Sequence, residues 1–152
     1  MNSTPTNFKI FRILHLALAT GMGLFAVASF LLVRMRTEPF LDVEADRALQ
    51  LIVVTIALLA LYFGFRLFKN RILKIRKANE SAEKRLTDYR TACITWWLLI
   101  EIPGVLAFTC FLLTGNHAFF ALGIFHLMIL IMFTPRRDNI LLLLNLKQED
   151  LP

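Results

Sequence analysis

ACITWWLLIEIPGVLAFTCFLL, residues 92–113, decides the fold of this chain. The run matches the about 20 residues that cross the hydrocarbon core of a bilayer. It holds one carboxylate, Glu101, beside Pro103 and Gly104. Three further apolar runs lie on either side of it, at residues 13–33, 49–67 and 118–134. Lipid offers the backbone no hydrogen-bond partners, so runs of this length read as helices rather than as strands with no barrel to close. The expectation is an all-α bundle of four transmembrane helices, a single integral membrane domain over residues 1–152.

Composition points the same way. Hydrophobic residues make up 57% of the chain, 14 residues are Phe, and the mean hydropathy is +0.63. A soluble core of this size needs less apolar surface than that. The net charge of +6 raises nucleic acid as a partner, but the basic residues are broken up by apolar runs and no nucleic-acid-binding motif is present. The reading is therefore no nucleic acid, with anionic lipid as the counter-charge.

Lys and Arg are distributed unevenly among the loops. Two precede the first run, nine lie between Arg66 and Arg90, and three follow the fourth run, against Arg34, Arg36 and Arg47 on the opposite side. By the positive-inside rule both termini are expected to be cytoplasmic. Lys9, Arg12 and the triplet Ala26-Val27-Ala28 also fit a secretory signal with its cleavage site. Continuation of the apolar run through Val33 favours a retained helix.

The segment 68–90 contains good helix formers, no Pro or Gly, and Glu80 four residues before Lys84. It reads as a basic cytoplasmic extension of the second helix, either one straight helix or a bent pair, with Ile72, Leu73 and Ile75 meeting the interface or a partner. Either it docks headgroups or a protein, or it is only a positive-inside determinant. Between the first two runs, Glu38, Asp42, Glu44 and Asp46 with Pro39 read as a solvated acidic cap, and Thr114–His117 as a tight turn joining antiparallel neighbours. After Pro135, Asp138 is expected to N-cap a short interfacial helix rich in leucine.

Candidate functional residues are few. Trp96 and Trp97 stand where an aromatic belt is expected and read as interface anchors. Ala17, Ala19, Gly21 and Gly23 form a shallow face for close helix packing. His15 is near enough to the inner end to reach headgroups. Cys93 and Cys110 are about 25 Å apart along one helix and cannot bridge. No zinc-protease, phosphate-loop, nucleophile-elbow or metal-ligand spacing occurs, so no enzyme, cofactor or metal is expected.

Glu101 and His126 both fall near the midplane, and an ionisable group at that depth is a functional hypothesis by default. Folding a hairpin about Asn116 leaves His126 about 7.5 Å off level from Glu101. Pro103 frees the carbonyl of Leu99 and bends the helix, while Gly104 leaves room for a side chain, a water or another backbone. Two readings stay open. Glu101 is a protonated hydrogen-bond donor that glues helices together, with Thr55 or Thr95 among its acceptors, or it exchanges a proton or cation with His126 as partner.

Tyr89-Arg90-Thr91-Ala92, Leu99-Ile100-Glu101-Ile102-Pro103, Leu113-Thr114-Gly115-Asn116 and Pro135 with the basic residues after it resemble uncharacterised small four-helix inner-membrane proteins of Bacteroidetes-type bacteria. That resemblance covers mainly residues 89–146 and implies a bacterial inner-membrane location without an established activity. Glu101 and the small residues from Ala17 to Gly23 are also similar in kind to rotary-ATPase proteolipids, which carry their midmembrane Glu on the fourth helix and lack a long basic loop. Small multidrug exporters likewise use a lone membrane Glu, on their first helix. The expected role is a non-enzymatic small subunit or scaffold that self-associates or joins a membrane complex. The alternative is a proton- or cation-coupled transporter or channel built on Glu101.

Overall fold

The computed structural model describes residues 5–36 and 43–146. Among these it holds five helices and no strand: α1 (Pro5–Met35), α2 (Val43–Lys77), α3 (Ala82–Thr114), α4 (His117–Met132) and α5 (Arg137–Leu144). Three of them, α1, α2 and α3, are each long and apolar enough to cross a membrane. A fourth crossing exists if α4 and α5, bent by 76° at their junction, count as one span. Glu38, Pro39 and Asp42 of the expected acidic cap, and Lys147, lie outside the described residues.

The helix ends follow from local chemistry. Ser81 caps α3 by accepting from the Lys84 backbone N–H, and Asn116 caps α4 by accepting from that of Ala118. Gly115 closes α3 in the left-handed region at φ 71°, where a side chain would be strained, and its N–H returns to the Phe111 carbonyl. Two residues thus reverse the chain, and α4 runs back along α3. Helix α3 continues through Pro103.

Helix α3 is the hub. It packs against α4, α2 and α1, whereas α1 touches only α3 and α4 to any extent. Half of the apolar window of α3 is buried, against 17% for α1 and for α2. Contacts fix α1 parallel to α3. Phe11 and His15 meet Trp97, Met22 meets Gly104, and Phe25 meets Phe108. The triplet Ala26-Val27-Ala28 lies inside this continuous helix with Ala26 buried in the core.

In the basic segment 68–90 the second helix continues to Lys77 and the chain then breaks, the bent pair rather than one straight helix. The segment is the tip of a hairpin, with α2 ending at Lys77 and α3 starting at Ala82, because Ser81 offers a better cap than helix continuation. Glu80 therefore falls in the break, and Lys84 pairs instead with Asp88 at 3.1 Å. Helix α5 lies in the crook of this hairpin, with Ile140 and Leu144 buried against Ile72, Ile75, Leu86 and Tyr89. Arg85 donates to the carbonyl of Leu144, the last residue of α5, a favourable place for a cation. Asp138 is not the N-cap of α5; Arg136 holds that position without a side-chain cap, and Asp138 stands in the first turn. At the other end Asn116 Nδ2 donates to Asp46 Oδ2 at 2.8 Å and Arg36 Nη1 to the Leu112 carbonyl at 2.5 Å, tying α1 and α2 to the turn.

Candidate functional site

Glycines set the middle of the bundle. A Cβ at Gly104 would lie 2.1 Å from Met22 Cε and 2.9 Å from His126 Cβ, so α1, α3 and α4 converge on that point. A Cβ at Gly123 would lie 2.5 Å from the ring of the fully buried Phe108. The absence of side chains at these two positions lets α4 come close enough to seal its histidine inside.

His126 is 0% exposed. Its Nδ1 donates to the Leu122 carbonyl one turn earlier at 2.9 Å. A carbonyl only accepts, so Nδ1 carries a hydrogen, and in the neutral ring Nε2 is left as an acceptor. That Nε2 is buried and has no partner.

Glu101 stands about one turn before Gly104, about 4.5 Å along α3. It is partly exposed, between the outward-facing Leu98, 43% exposed, and Ile102, 63% exposed. The α1–α3 register puts Leu18 and Ala19 at its level. Among the described residues its carboxyl has no hydrogen bond or ion pair, and neither His126, Thr55 nor Thr95 is joined to it. The hydroxyls of Thr55 and Thr95 donate within their own helices, to the carbonyls of Leu51 and Thr91. The structure thus brings His126, Gly104 and Met22 together and sets Glu101 beside them on an outward edge.

Trp96 and Trp97 are not anchors facing outward. They are 3% and 1% exposed, because α1 and α2 bring aromatic rings onto α3 at this level. Trp97 stacks on Phe11 with centroids 4.7 Å apart, and Trp96 packs among Phe65, Phe68 and Phe133. Of the small residues of α1, Ala26 packs into the core, whereas the series from Ala17 to Gly23 makes no close crossing within the chain. Ala17 and Gly21 are exposed, Ala19 is partly buried, and a Cβ at Gly21 or Gly23 would meet nothing within 4 Å. Gly23 instead borders a shallow apolar groove of about 670 Å³ between α1 and α4, with Val27, Phe30, Phe120 and Ile124.

His15 also lies elsewhere than the sequence suggests. It does not reach toward headgroups; it is 3% exposed and its Nε2 donates to the Leu130 carbonyl at 2.9 Å. The signal was available, since Phe11, His15, Met22, Ala26 and Ser29 recur at helical spacing and form the buried stripe of α1. Cys93 and Cys110 are buried free thiols on α3. Among the described residues no cluster of three or more His, Cys, Asp or Glu could hold a metal ion. No protein-family model, curated protein or solved structure matches the chain.

Proposed function

We propose that the chain is a multi-pass protein of a bacterial inner membrane that crosses it four times, with both termini cytoplasmic, and acts without catalysis as a small subunit or scaffold of a membrane complex. The uneven Lys and Arg count supports the orientation. Helix α4 alone spans about 24 Å, short of a roughly 30 Å core. Phe133 at its end nevertheless packs on Trp96 and Phe68, where α2 and α3 leave their apolar zone. That depth supports a full fourth crossing, completed as the chain turns into α5.

One observation carries the subunit reading: the unpartnered carboxyl of Glu101 on an outward apolar edge. A carboxyl at that depth costs at least about 2.5 kcal/mol when charged, and a protonated one still seeks an acceptor. A helix of a second copy or of another subunit, laid along Leu98, Glu101 and Ile102, supplies that acceptor. The resemblance to four-helix inner-membrane proteins fits such a role without naming a partner.

The second reading is proton or cation exchange, supported by two orphaned groups about one turn apart, Glu101 and His126 Nε2. The variants Glu101→Gln and Glu101→Leu separate the two. Under the subunit reading Gln, which keeps a donor, retains the assembly measured by mass in mild detergent, and Leu loses it. A wild-type chain that purifies only as a lone monomer overturns this reading. Glu101→Gln that assembles normally but loses pH-dependent flux in proteoliposomes establishes exchange instead.

A further inference from the structure

At the inner end of the bundle, on the side away from the groove between α1 and α4, a cavity of about 470 Å³ opens between α2, α3 and α5. Small-molecule pockets commonly fall in the range of about 300–1,000 Å³. Each helix contributes one face at helical spacing: Lys69, Ile72 and Arg76 from α2, Tyr89, Cys93 and Trp96 from α3, Asn139 and Leu143 from α5. Arg136, at the bend before α5, completes the rim.

The cavity has two chemically distinct ends. Lys69, Arg76 and Arg136 are exposed, and among the described residues none is paired with a carboxylate. Of the nearby acids, Asp88 pairs with Lys84, and Asp138 lines a neighbouring cleft that Arg12, Arg136 and Arg137 also line, without an ion pair to Arg136. On the side toward the apolar spans, Phe65 and Met132, both exposed, with Phe68 and Phe133 form an apolar wall. Between the two ends lies Trp96, whose Nε1 is buried with no acceptor. The opposite edge of its indole, Cε3 and Cζ3, is turned onto Gly64, where a Cβ would come within 2.7 Å.

We propose that this cavity binds one anionic glycerophospholipid of the inner leaflet. Its phosphate is held by Lys69, Arg76 and Arg136, and an acyl chain runs along Phe65, Phe68 and Met132. A cationic rim alone would serve any soluble anion. The apolar wall continuing from it, at the level where the helices leave their apolar zone, selects an amphiphile. The inference rests on the membrane location and orientation proposed above, and is independent of the subunit role.

Both tryptophans of the chain line the cavity, so their fluorescence reports occupancy without a label. The chain is reconstituted in phosphatidylcholine vesicles with an equal small fraction of chain-brominated phosphatidylglycerol or chain-brominated phosphatidylcholine, and co-flotation of protein with vesicles is measured first. Failure to float refutes the membrane reading itself. Given flotation, the brominated anionic lipid is expected to quench at lower fractions, with each cation contributing about fivefold to the preference. Lys69→Gln, Arg76→Gln and Arg136→Gln together remove the preference, whereas Lys74→Gln with Lys77→Gln, which removes charge from the same helix away from the rim, keeps most of it. All five side chains are exposed, so folding is retained in both variants. Equal quenching by the two lipids, or equal loss in the two variants, overturns the site. Inorganic phosphate that abolishes the preference at constant ionic strength overturns the lipid and assigns the cations to a soluble anion.

Discussion

The glycines of this chain fall into two groups. Gly64, Gly104 and Gly123 sit where another side chain occupies the space a Cβ would need: the Trp96 ring, Met22 with His126, and the Phe108 ring. Gly21 and Gly23 of α1 face open space, although α1 carries the densest run of small residues in the chain. Small residues thus make a close crossing only where a bulky group from a neighbouring helix arrives at the same level. Helices α3 and α4, joined by a two-residue turn, are held in a register that delivers Phe108 to Gly123 and His126 to Gly104. Helix α1 reaches α3 through Phe11, His15, Met22 and Phe25, and its glycines look outward.

The sharpest way to break this contrast is to fill the crossings. Gly123→Ala puts a methyl against a fully buried ring with nowhere to swing. It is expected to cost about 1–3 kcal/mol, and Gly123→Val more. Denaturation in mixed micelles, followed by helicity or tryptophan emission, measures the loss. Gly104→Ala should cost less, because the nearest atom is the mobile end of Met22, although the His126 Cβ at 2.9 Å cannot retreat as easily. If both substitutions leave the transition unchanged, the α3–α4 crossing is looser than described.

A smaller effect is expected where α1 meets α4 through one hydrogen bond. His15→Phe keeps the ring against Trp97 but removes the donor to the Leu130 carbonyl. The cost should be about 0.5–1.5 kcal/mol, the net value of one such bond, because that carbonyl also accepts from the Phe133 backbone. His15→Ala also loses the aromatic contact and should fall further. Equal stability of His15→Phe and wild type would mean that α1 is held by packing alone.

Much of this was legible in the chain itself. Long apolar runs, the Thr114–His117 turn and the lone Pro–Gly pair beside Glu101 specified the helices and the hairpin, because each rests on local physics: the absence of water for backbone groups, a cap, a positive φ. What was not legible depends on which helix arrives beside which. Trp96 and Trp97 look like belt residues until α1 and α2 cover them, and His15 looks like a headgroup ligand until α4 returns beside it. The hairpin in the basic segment turned on a single capping serine within a stretch that otherwise favours continuous helix. Glu101 was legible as an oddity. That it would stand beside His126 without touching it depended on the one-turn stagger set by Gly104 and on the outward angle of residue 101.

The smallest expected effect has the opposite sign. Gly21→Ala and Gly23→Ala place methyls in open space on a helix whose backbone is already helical. They restrict the unfolded chain more than the folded one, so monomer stability should hold or rise by up to about 0.4–1 kcal/mol. A fall of that size would mean that α1 turns these glycines toward another helix, and the division between filled and open crossings would fail. Self-association provides a second, independent readout. The bulkier Gly21→Leu leaves the monomer's unfolding unchanged if that side of α1 is free, but lowers its oligomeric mass if a second copy packs there; Gly23, about 200° around the helix, borders the α1–α4 groove instead. Glu101 stands on the adjoining edge, where α1 and α3 run parallel. A loss of assembly shared by Gly21→Leu and by Glu101→Leu would join Gly21 and the orphan carboxyl into one docking face. Loss with Glu101→Leu alone would confine that face to α3.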